Sequence, residues 1–483
     1  MASNDLGVSG GAPPSSSEEL REETGTTTDA RARTAGDYTW SVRERRLTAP
    51  PQRGWGLLSL IAKKAGGSFS QEPEDMVDYS TPDRVQCNLS AECQAVVREV
   101  FADLAPTEVV DYHVHIVGHG DSGSGCHLHS TTKSWLHPVK RLKSAIFMAA
   151  AQVPDMDNGD VQYISRLLRL VEYYVPAHVL NEANTGYLHG KICLLAFDAY
   201  YEKDGRKNMD RTTLYVPNEY AYQCAKEFPD MCVAVGSVNP YRTDAIQELE
   251  NCAANGVTII KWLPNSMGIN PKDEECTPFY EKLKELNMAL LIHVGDEHTV
   301  NAGFIDDSLG NPLLLRGPLD HGVKVIAAHC ASEGKCRDID NQNQVVECFD
   351  MFLRLMREDR YKDLLFGDIS AITAFKRVGY LIRLLEATDI HDRLMYGSDY
   401  PVPAINLVVS TKKMARYGLI TQAQRAAINE LYDFNPLVFD LACKRLARGP
   451  NGESFPPAVF KAHPKLPIQQ PTASPSMAGP TNS

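Results

Sequence analysis

The feature that most constrains the fold of this chain is a series of short apolar runs separated by amphipathic stretches. Eight runs rich in Val, Ile and Leu have the length of buried parallel strands. They cover residues 108–116, 191–198, 232–238, 257–263, 289–294, 323–329, 364–370 and 393–399. Helical patterns separate most of them, at 165–174, 219–228, 244–255, 278–287, 378–388 and 421–432. The alternation predicts an α/β protein with a TIM-type (β/α)8 barrel, although a doubly wound sheet has the same alternation.

The two ends of the chain lack this pattern. Residues 1–50 are rich in Ser, Gly, Thr, Glu and Arg and show no periodicity, which predicts a disordered N-terminal segment because little apolar surface offsets the chain entropy. We expect residues 51–104 to pack on the barrel as a lead-in and residues 105–447 to form the barrel. Residues 448–483 are predicted to be a largely irregular C-terminal extension.

The composition is that of a globular protein, with 43% hydrophobic and 23% charged residues. The net charge of −12 argues against a nucleic-acid partner or a polybasic membrane patch. The twelve cysteines are dispersed without a C-x-x-C pair, and neither an export signal nor an apolar run of membrane-spanning length is visible. We therefore predict a cytoplasmic protein with reduced cysteines that acts on a small molecule.

The first apolar run contains the strongest local signal, Asp111-Tyr112-His113-Val114-His115. Because side chains alternate along a strand, Asp111, His113 and His115 are expected to share one face. Two imidazoles spaced in this way can grip one metal ion, and neutral His is a common zinc ligand. The alternative is a pair of ordinary barrel histidines. Asp111, deeper on the strand, is predicted to support a ligand residue or to have a structural role, and not to bind the metal.

Three further polar residues end other runs: His293 the fifth, His329 the sixth and Asp399 the eighth. In a TIM barrel the C-terminal ends of the strands form the floor of the active site. Each residue alone has an ordinary structural interpretation, His293 and His329 as hydrogen-bonded core histidines and Asp399 as a turn cap. Together with the first-strand pair they predict a metal site.

This combination resembles the amidohydrolase superfamily, and more closely its amidohydrolase-related branch, which also contains decarboxylases similar to aminocarboxymuconate semialdehyde decarboxylase. The resemblance covers about residues 105–447. The motifs that carry it are DYHVHI at 111–116, VNP at 238–240, His293, His329, GSDYP at 397–401 and NPLVF at 435–439.

The resemblance implies that His113, His115, His293 and Asp399 bind a divalent metal, with zinc expected. It implies for His329 either a second metal or a role in orienting substrate and stabilising charge. A divalent ion lowers the pKa of bound water to roughly 7. Asp399 would act as general base and then as general acid, and His329 would assist as the oxyanion develops.

Lys261 leaves the number of metals open between one and two. It lies on the fourth run, where binuclear family members carry a carbamylated lysine that bridges two metals. Val257, Ile259 and Lys261 share a face of the predicted strand, so Lys261 can point inward. The alternatives are a lysine that points out of the barrel top and an ammonium group that binds a substrate carboxylate.

Several weaker features stay open. A second His-x-His, His127-Leu128-His129, lies on a Gly/Ser-rich loop and is expected to line the site mouth without binding metal. Glu297 and His298 follow the fifth run and are equally compatible with a site role and a solvated turn. Asp368, in a D-I-S element, is expected to be structural, with a supporting hydrogen bond to a ligand histidine as the alternative.

The favoured function is hydrolysis of an amide, lactone or ester by metal-activated water. The first alternative is a metal-dependent decarboxylase acting on an aromatic or enol-type carboxylic acid, and the second is a non-catalytic barrel. Many amidohydrolases are oligomeric, so the resemblance allows a homo-oligomer, although the sequence shows no readable interface.

Overall fold

The computed structural model describes residues 89–120, 122–132, 159–180, 186–297, 303–405 and 408–468. Its strands are β1 (Val110–His115), β2 (His127–Leu128), β3 (Val175–Pro176), β4 (Tyr187–Leu188), β5 (Lys191–Leu195), β6 (Leu214–Tyr215), β7 (Cys232–Val235), β8 (Ile259–Trp262), β9 (Ala289–Ile292), β10 (Lys324–Ala327), β11 (Lys335–Asp338), β12 (Gln344–Glu347), β13 (Leu365–Asp368) and β14 (Leu394–Met395).

The α-helices are α1 (Ala91–Val100), α2 (Gly159–Glu172), α3 (Asn218–Glu227), α4 (Ala245–Ala254), α5 (Pro264–Met267), α6 (Thr277–Glu285), α7 (Arg316–Asp320), α8 (Cys348–Met356), α9 (Val378–Glu386), α10 (Thr411–Arg416), α11 (Gln422–Phe434) and α12 (Pro436–Leu446). Short 3-10 helices lie at Pro106–Glu108, Ser130–Thr132, Ala177–Leu180, Glu274–Cys276, Asp307–Gly310, Pro312–Leu315, Ala328–Ala331, Asp359–Tyr361, Thr388–Arg393, Val402–Ala404 and Pro457–Phe460.

Each of the eight predicted strand runs contains an observed strand of the main sheets. A three-stranded parallel sheet has the order β1-β5-β7, and a five-stranded parallel sheet has the order β14-β13-β10-β9-β8. Helices alternate with these strands as predicted. The α/β, TIM-type character of the fold is therefore confirmed.

The edges of the two sheets are connected by isolated contacts, and no continuous ladder closes the eight strands within the described residues. On one side, Gly236 forms a parallel bridge with Ile260, and the Lys261 amide donates to the Gly236 carbonyl at 2.7 Å. On the other side, Val114 bridges Tyr400, downstream of β14. These contacts hold the C-terminal ends of the strands from both sheets at one end of the fold.

The space between the sheets is filled by apolar side chains. Val110, Tyr112, Cys193, Leu195, Val233, Val235, Ile259, Ala289, Leu291, Ile326, Ala328, Phe366 and Met395 form one buried cluster. Leu466 of the C-terminal segment joins this cluster, and the Tyr112 hydroxyl accepts a hydrogen bond from the His463 amide at 2.9 Å. The described part of the C-terminal extension therefore packs against this apolar cluster.

Other sequence expectations have mixed outcomes. Cys336 and Cys348 form a disulfide, so the prediction that all cysteines are reduced is wrong for this pair. The reason is spatial: the β11–β12 hairpin returns Cys348 to the side of Cys336, with their Cα atoms 5.7 Å apart. None of the described helices is long and apolar enough to cross a membrane. Residues 1–50 lie outside the described residues. Of the predicted lead-in, residues 89–104 are described, and they contain helix α1.

Candidate metal centre

A bulge in β1 sets the positions of the first two predicted ligands. Asp111 pairs with Ile192 and Val114 pairs with Leu194, so β1 has one more residue than β5 between these two pairs. The strict side-chain alternation predicted for this strand is therefore interrupted. Tyr112 packs in the interior cluster, and Asp111 accepts hydrogen bonds from the amides of His113 and Ser398 at 3.1 and 2.8 Å. Asp111 therefore ties β1 to the segment that carries Asp399, in agreement with its predicted structural role.

Three predicted ligands converge, one from β1 and two from the segments that follow β10 and β14. His113, His329 and Asp399 each offer one ligand atom within 4.8 Å of the other two, and all three side chains are buried. The His113 Nε2 atom lies 3.6 Å from Asp399 Oδ1. Two imidazoles and a carboxylate are borderline ligands that suit a divalent transition metal. This group can hold a metal ion.

Asp368 and Ser370 support His113 and His329 through hydrogen bonds. The His113 Nδ1–H donates to Asp368 Oδ2 at 2.9 Å, and the other carboxylate oxygen accepts from the His329 amide at 2.9 Å. The Ser370 hydroxyl lies 2.7 Å from His329 Nδ1. Because Nδ1 of His113 donates to Asp368, its Nε2 lone pair faces the cluster. Of the two roles considered for Asp368, the geometry matches support of a ligand histidine.

His115 and His293 lie beside the group of three. His115 Nε2 is 2.9 Å from Asp399 Oδ1, and the His293 ring lies 5.2 Å from the His329 ring, between centroids. The His293 Nε2 atom has no hydrogen-bond partner in the described structure although it is buried, and the same holds for His115 Nδ1. Such unpaired imidazole nitrogens are costly unless a cation or a ligand completes them.

The backbone at two cluster residues is strained. His329 has φ 56° and Asp399 has φ 64°, which places both in the left-handed region that side chains with a Cβ rarely adopt. Each such residue costs on the order of 1–3 kcal/mol and persists where the surrounding structure imposes it. Packing is also tight at Gly397, where an added Cβ would lie 2.7 Å from the His113 Cβ. The strain and this close approach indicate that packing around the cluster fixes the directions of its side chains.

Burial keeps His113, His293 and His329 neutral. Desolvation, followed by the charge of Lys261, lowers the pKa of His293 to about 3 and holds the pKa of His113 well below its usual range. The pKa of His329 is lowered by burial and then by Arg377. For Asp399, burial acts to raise the pKa, but the His115 hydrogen bond and nearby positive charge lower it overall. Neutral imidazoles and an ionised carboxylate are the protonation states in which these groups bind metals.

Lys261 points inward, as one of the sequence alternatives required. Its side chain is buried, and Nζ lies 3.3 Å from His113 Nε2. Burial lowers the pKa of Lys261 to about 8. The alternative in which the lysine points out of the barrel top does not match this position.

The site opens into a cleft that contains residues that we did not predict. The cleft encloses about 660 Å³ of empty space, part of it open to solvent. Besides the five predicted residues and Lys261, it is lined by Val117, Phe197, Leu214, Leu263, Asp296, Glu297, Glu333, Arg377 and Val402. Arg377 and Glu333 belong to loops that follow β13 and β10, where no sequence pattern marks individual side chains. The sequence alone leaves the role of Glu297 open; in the structure its Oε2 atom lies 3.6 Å from His293 Nε2.

A buried ion pair lies behind the loop that carries Asp399. Lys444 of α12 pairs with Asp440, and its Nζ also donates to the Gly397 carbonyl at 2.7 Å. The two side chains are fully buried, and the Tyr396 hydroxyl donates to Asp440 at 3.1 Å. Helix α12 thus anchors the residues that precede Asp399.

The second His-x-His is not part of the cleft. The His129 imidazole contacts the Thr131 hydroxyl at 2.8 Å and the Asp210 carbonyl at 3.0 Å, and His127 belongs to the short strand β2. Neither residue lines the cleft described above. His298 lies outside the described residues.

Comparison with solved structures finds distant likenesses. An uncharacterised TIM-barrel protein from Bordetella bronchiseptica is 11% identical, covers 61% of this chain and 86% of its own, and has a TM-score of 0.38. A 5-carboxyvanillate decarboxylase from Sphingomonas paucimobilis is 14% identical (62% and 92% covered, TM-score 0.33), and IDCase from Metarhizium anisopliae is 14% identical (71% and 98%, TM-score 0.35). A search of curated proteins finds no match.

The family comparison gives a defined segment. Residues 199–428 match the family model described as Amidohydrolase. The segment begins after β5 and ends within α11, so it contains His293, His329 and Asp399, whereas His113 and His115 precede it. The resemblance noted in the sequence is therefore confirmed by a family match over residues 199–428.

Proposed function

We propose that this protein is a metal-dependent hydrolase that cleaves an amide, lactone or ester bond of a small molecule. The observation that carries the proposal is the convergence of His113, His329 and Asp399 within 4.8 Å at the base of a cleft. We also infer that the two sheets act as one (β/α)8 barrel, because contacts across both of their edges bring these residues together. The family match supports a metal-dependent activity.

The donor set fits a divalent cation, and zinc is the metal that we propose. His113 Nε2, a His329 ring nitrogen and an Asp399 oxygen supply two neutral nitrogens and one negative oxygen, a combination found in catalytic zinc sites. The unpaired His293 Nε2 and His115 Nδ1 are further nitrogens at the edge of the group. A divalent cation, when bound, supplies Lewis acidity and lowers the pKa of water.

The remaining roles in the proposed reaction would belong to side chains of the protein. Asp399, ionised and at the cleft surface, is placed to accept a proton from water and return it to the leaving group. His329, held by Ser370, would either bind the ion or, if it does not, face the negative charge that develops on the substrate. Asp368 fixes the direction of His113, and Lys261 stays close to both His113 and the cleft.

One metal ion is the simpler arrangement for the unmodified Lys261. Its Nζ atom already contacts His113 Nε2 at 3.3 Å, and a bridging role would require carbamylation of this amine. A pKa of about 8 leaves part of the amine neutral near physiological pH, which such a modification needs. The second metal therefore depends on a modified Lys261.

Decarboxylation of an aromatic or enol-type carboxylic acid is the second candidate. Arg377, which lines the cleft, favours it because a guanidinium group suits a carboxylate ligand. A non-catalytic barrel is disfavoured, since a buried polar cluster of this kind has a cost that a passive scaffold need not bear.

A reaction screen on zinc-loaded protein tests the proposal. Lactones, amides, esters and aromatic carboxylates are supplied, and both hydrolysis products and released CO2 are measured. We expect hydrolysis that is lost with His113→Ala and retained with His321→Gln, a control that changes a half-buried histidine in the loop before β10. Release of CO2 alone would replace the hydrolase by the decarboxylase, and full activity of His113→Ala would remove the site.

A further inference from the structure

Arg377 is a cationic group at the cleft that the proposed chemistry does not use. It follows β13 and directly precedes helix α9, and its side chain is 12% exposed. It lines the same cleft as His113, His329 and Asp399. Its charge acts on the cluster, because it contributes to the lowered pKa values of His293 and His329.

The hydrogen bonds of Arg377 are incomplete. Its Nε donates to Glu333 Oε2 at 3.0 Å, which fixes the plane of the guanidinium group. Its Nη1 is buried and has no hydrogen-bond partner in the described structure. A buried donor on a charged group that stays unpaired is costly, so a ligand acceptor at this position would be favoured. Glu333 therefore holds one edge of the guanidinium group, and Nη1 remains a donor without an acceptor.

The charges around the cleft limit the kind of anion. Asp296, Glu297 and Glu333 line the cleft together with Arg377. Three carboxylates disfavour a dianion such as a phosphate monoester more strongly than a monoanion. The planar guanidinium matches the planar carboxylate, and the apolar lining residues Phe197 and Leu214 suit the uncharged remainder of a small organic acid.

We propose that Arg377 forms a subsite that binds a carboxylate group of the substrate, so that the enzyme acts on carboxylate-bearing small molecules. This inference rests on the proposed function for the identity of the reacting site. The carboxylate at Arg377 is an anchor that orients the molecule in the cleft. Arg377 would bind this carboxylate in the same way whether the bond that breaks is an ester, an amide, a lactone or a carbon–carboxylate bond.

Binding measurements with matched acid and amide pairs test the subsite without requiring turnover. Benzoate with benzamide, and hexanoate with hexanamide, are titrated into zinc-loaded and zinc-free protein by calorimetry and ligand-observed NMR. We expect at least one acid to bind about 10-fold or more tightly than its amide, which is the effect of one charge-assisted hydrogen bond. Arg377→Gln should reduce this preference to about 2-fold or less.

Two matched variants control for charge and for folding. Arg383→Gln removes an arginine of helix α9, whose side chain is 42% exposed, pairs with Asp350 and lies outside the cleft lining; this change should leave the preference unchanged. Glu333→Gln removes the carboxylate that competes for Arg377 and should preserve or increase acid binding. Thermal unfolding confirms that each variant is folded.

The outcomes separate the two proposals. No acid preference for either pair in the wild-type protein, or a preference that survives Arg377→Gln, overturns the carboxylate subsite. Zinc content is measured on the same samples. Wild-type protein that keeps the acid preference but retains no zinc would overturn the proposed function and leave the subsite standing.

Discussion

Replacing Asp368 by Asn changes one atom of a buried side chain and tests how the cluster is oriented. In the native arrangement, one carboxylate oxygen accepts from the amides of His329 and Ser370, and the other accepts from His113 Nδ1. The amide oxygen of Asn can replace the first oxygen. Its NH2 group then faces His113 Nδ1, and a donor facing a donor is repulsive.

The imidazole can avoid this repulsion by moving its proton from Nδ1 to Nε2. The Nε2 atom of His113 faces Asp399 Oδ1 at 3.6 Å and Lys261 Nζ at 3.3 Å, so protonation removes the lone pair that points into the cluster. Loss of such a supporting carboxylate lowers metal affinity by about 10–100-fold. This corresponds to about 1.4–2.8 kcal/mol of binding free energy.

Competition between the protein and a chromophoric chelator for Zn²⁺ measures the effect. The matched control is Asp338→Asn, which alters another buried aspartate, ion-paired with Arg354 at 2.6 Å outside the cleft. We expect the control to lose stability and to keep its zinc affinity. Folded Asp368→Asn protein that binds Zn²⁺ as tightly as the wild type would refute the assignment of the His113 tautomer.

Three further predictions concern stability. The pKa of His293 is lowered from 6.5 to about 3, so the unfolded state binds more protons between these pH values, and zinc-free protein should lose stability as the pH falls through this range. Urea unfolding at several pH values measures the slope of the unfolding free energy against pH, and His293→Gln should reduce this slope. Lys444→Met should cost about 3–5 kcal/mol because it leaves Asp440 buried without its cation. The double variant Lys444→Met/Asp440→Asn removes the uncompensated charge and keeps an acceptor for the Tyr396 hydroxyl, so it should recover part of this loss in the same assay; equal losses in both would contradict it. Leu466→Ala should cost about 2–5 kcal/mol by opening a cavity in the buried cluster that contains Tyr112, and an unchanged unfolding midpoint would show that the C-terminal segment does not contribute to this cluster.

The fold could be predicted from sequence because its signal is repeated. All eight apolar runs contain strands, since burial on both faces requires continuous apolar residues. All eight strands are shorter than the runs that contain them. The last run, 393–399, contributes only Leu394–Met395 because the chain then turns into the strained backbone of Asp399.

Part of the candidate site could also be predicted from the order of the strands. Parallel strands bring their C-terminal ends together, so His113, His329 and Asp399 could be grouped without coordinates. Local patterns do not show long-range partners. The β1 bulge, the Cys336–Cys348 disulfide and the unpaired edge of Arg377 each depend on packing between segments that are distant in the chain or joined by irregular loops. Their sequences carry no period or motif that marks them.

Anomalous diffraction from crystals of the zinc-loaded protein tests the central claim most directly. We expect a peak among His113, His329 and Asp399, at about 2.0–2.2 Å from a ligand atom of each, the usual range for zinc with nitrogen and oxygen ligands. A peak bound by other residues, or none at full zinc loading, would contradict the metal centre on which the proposed function depends.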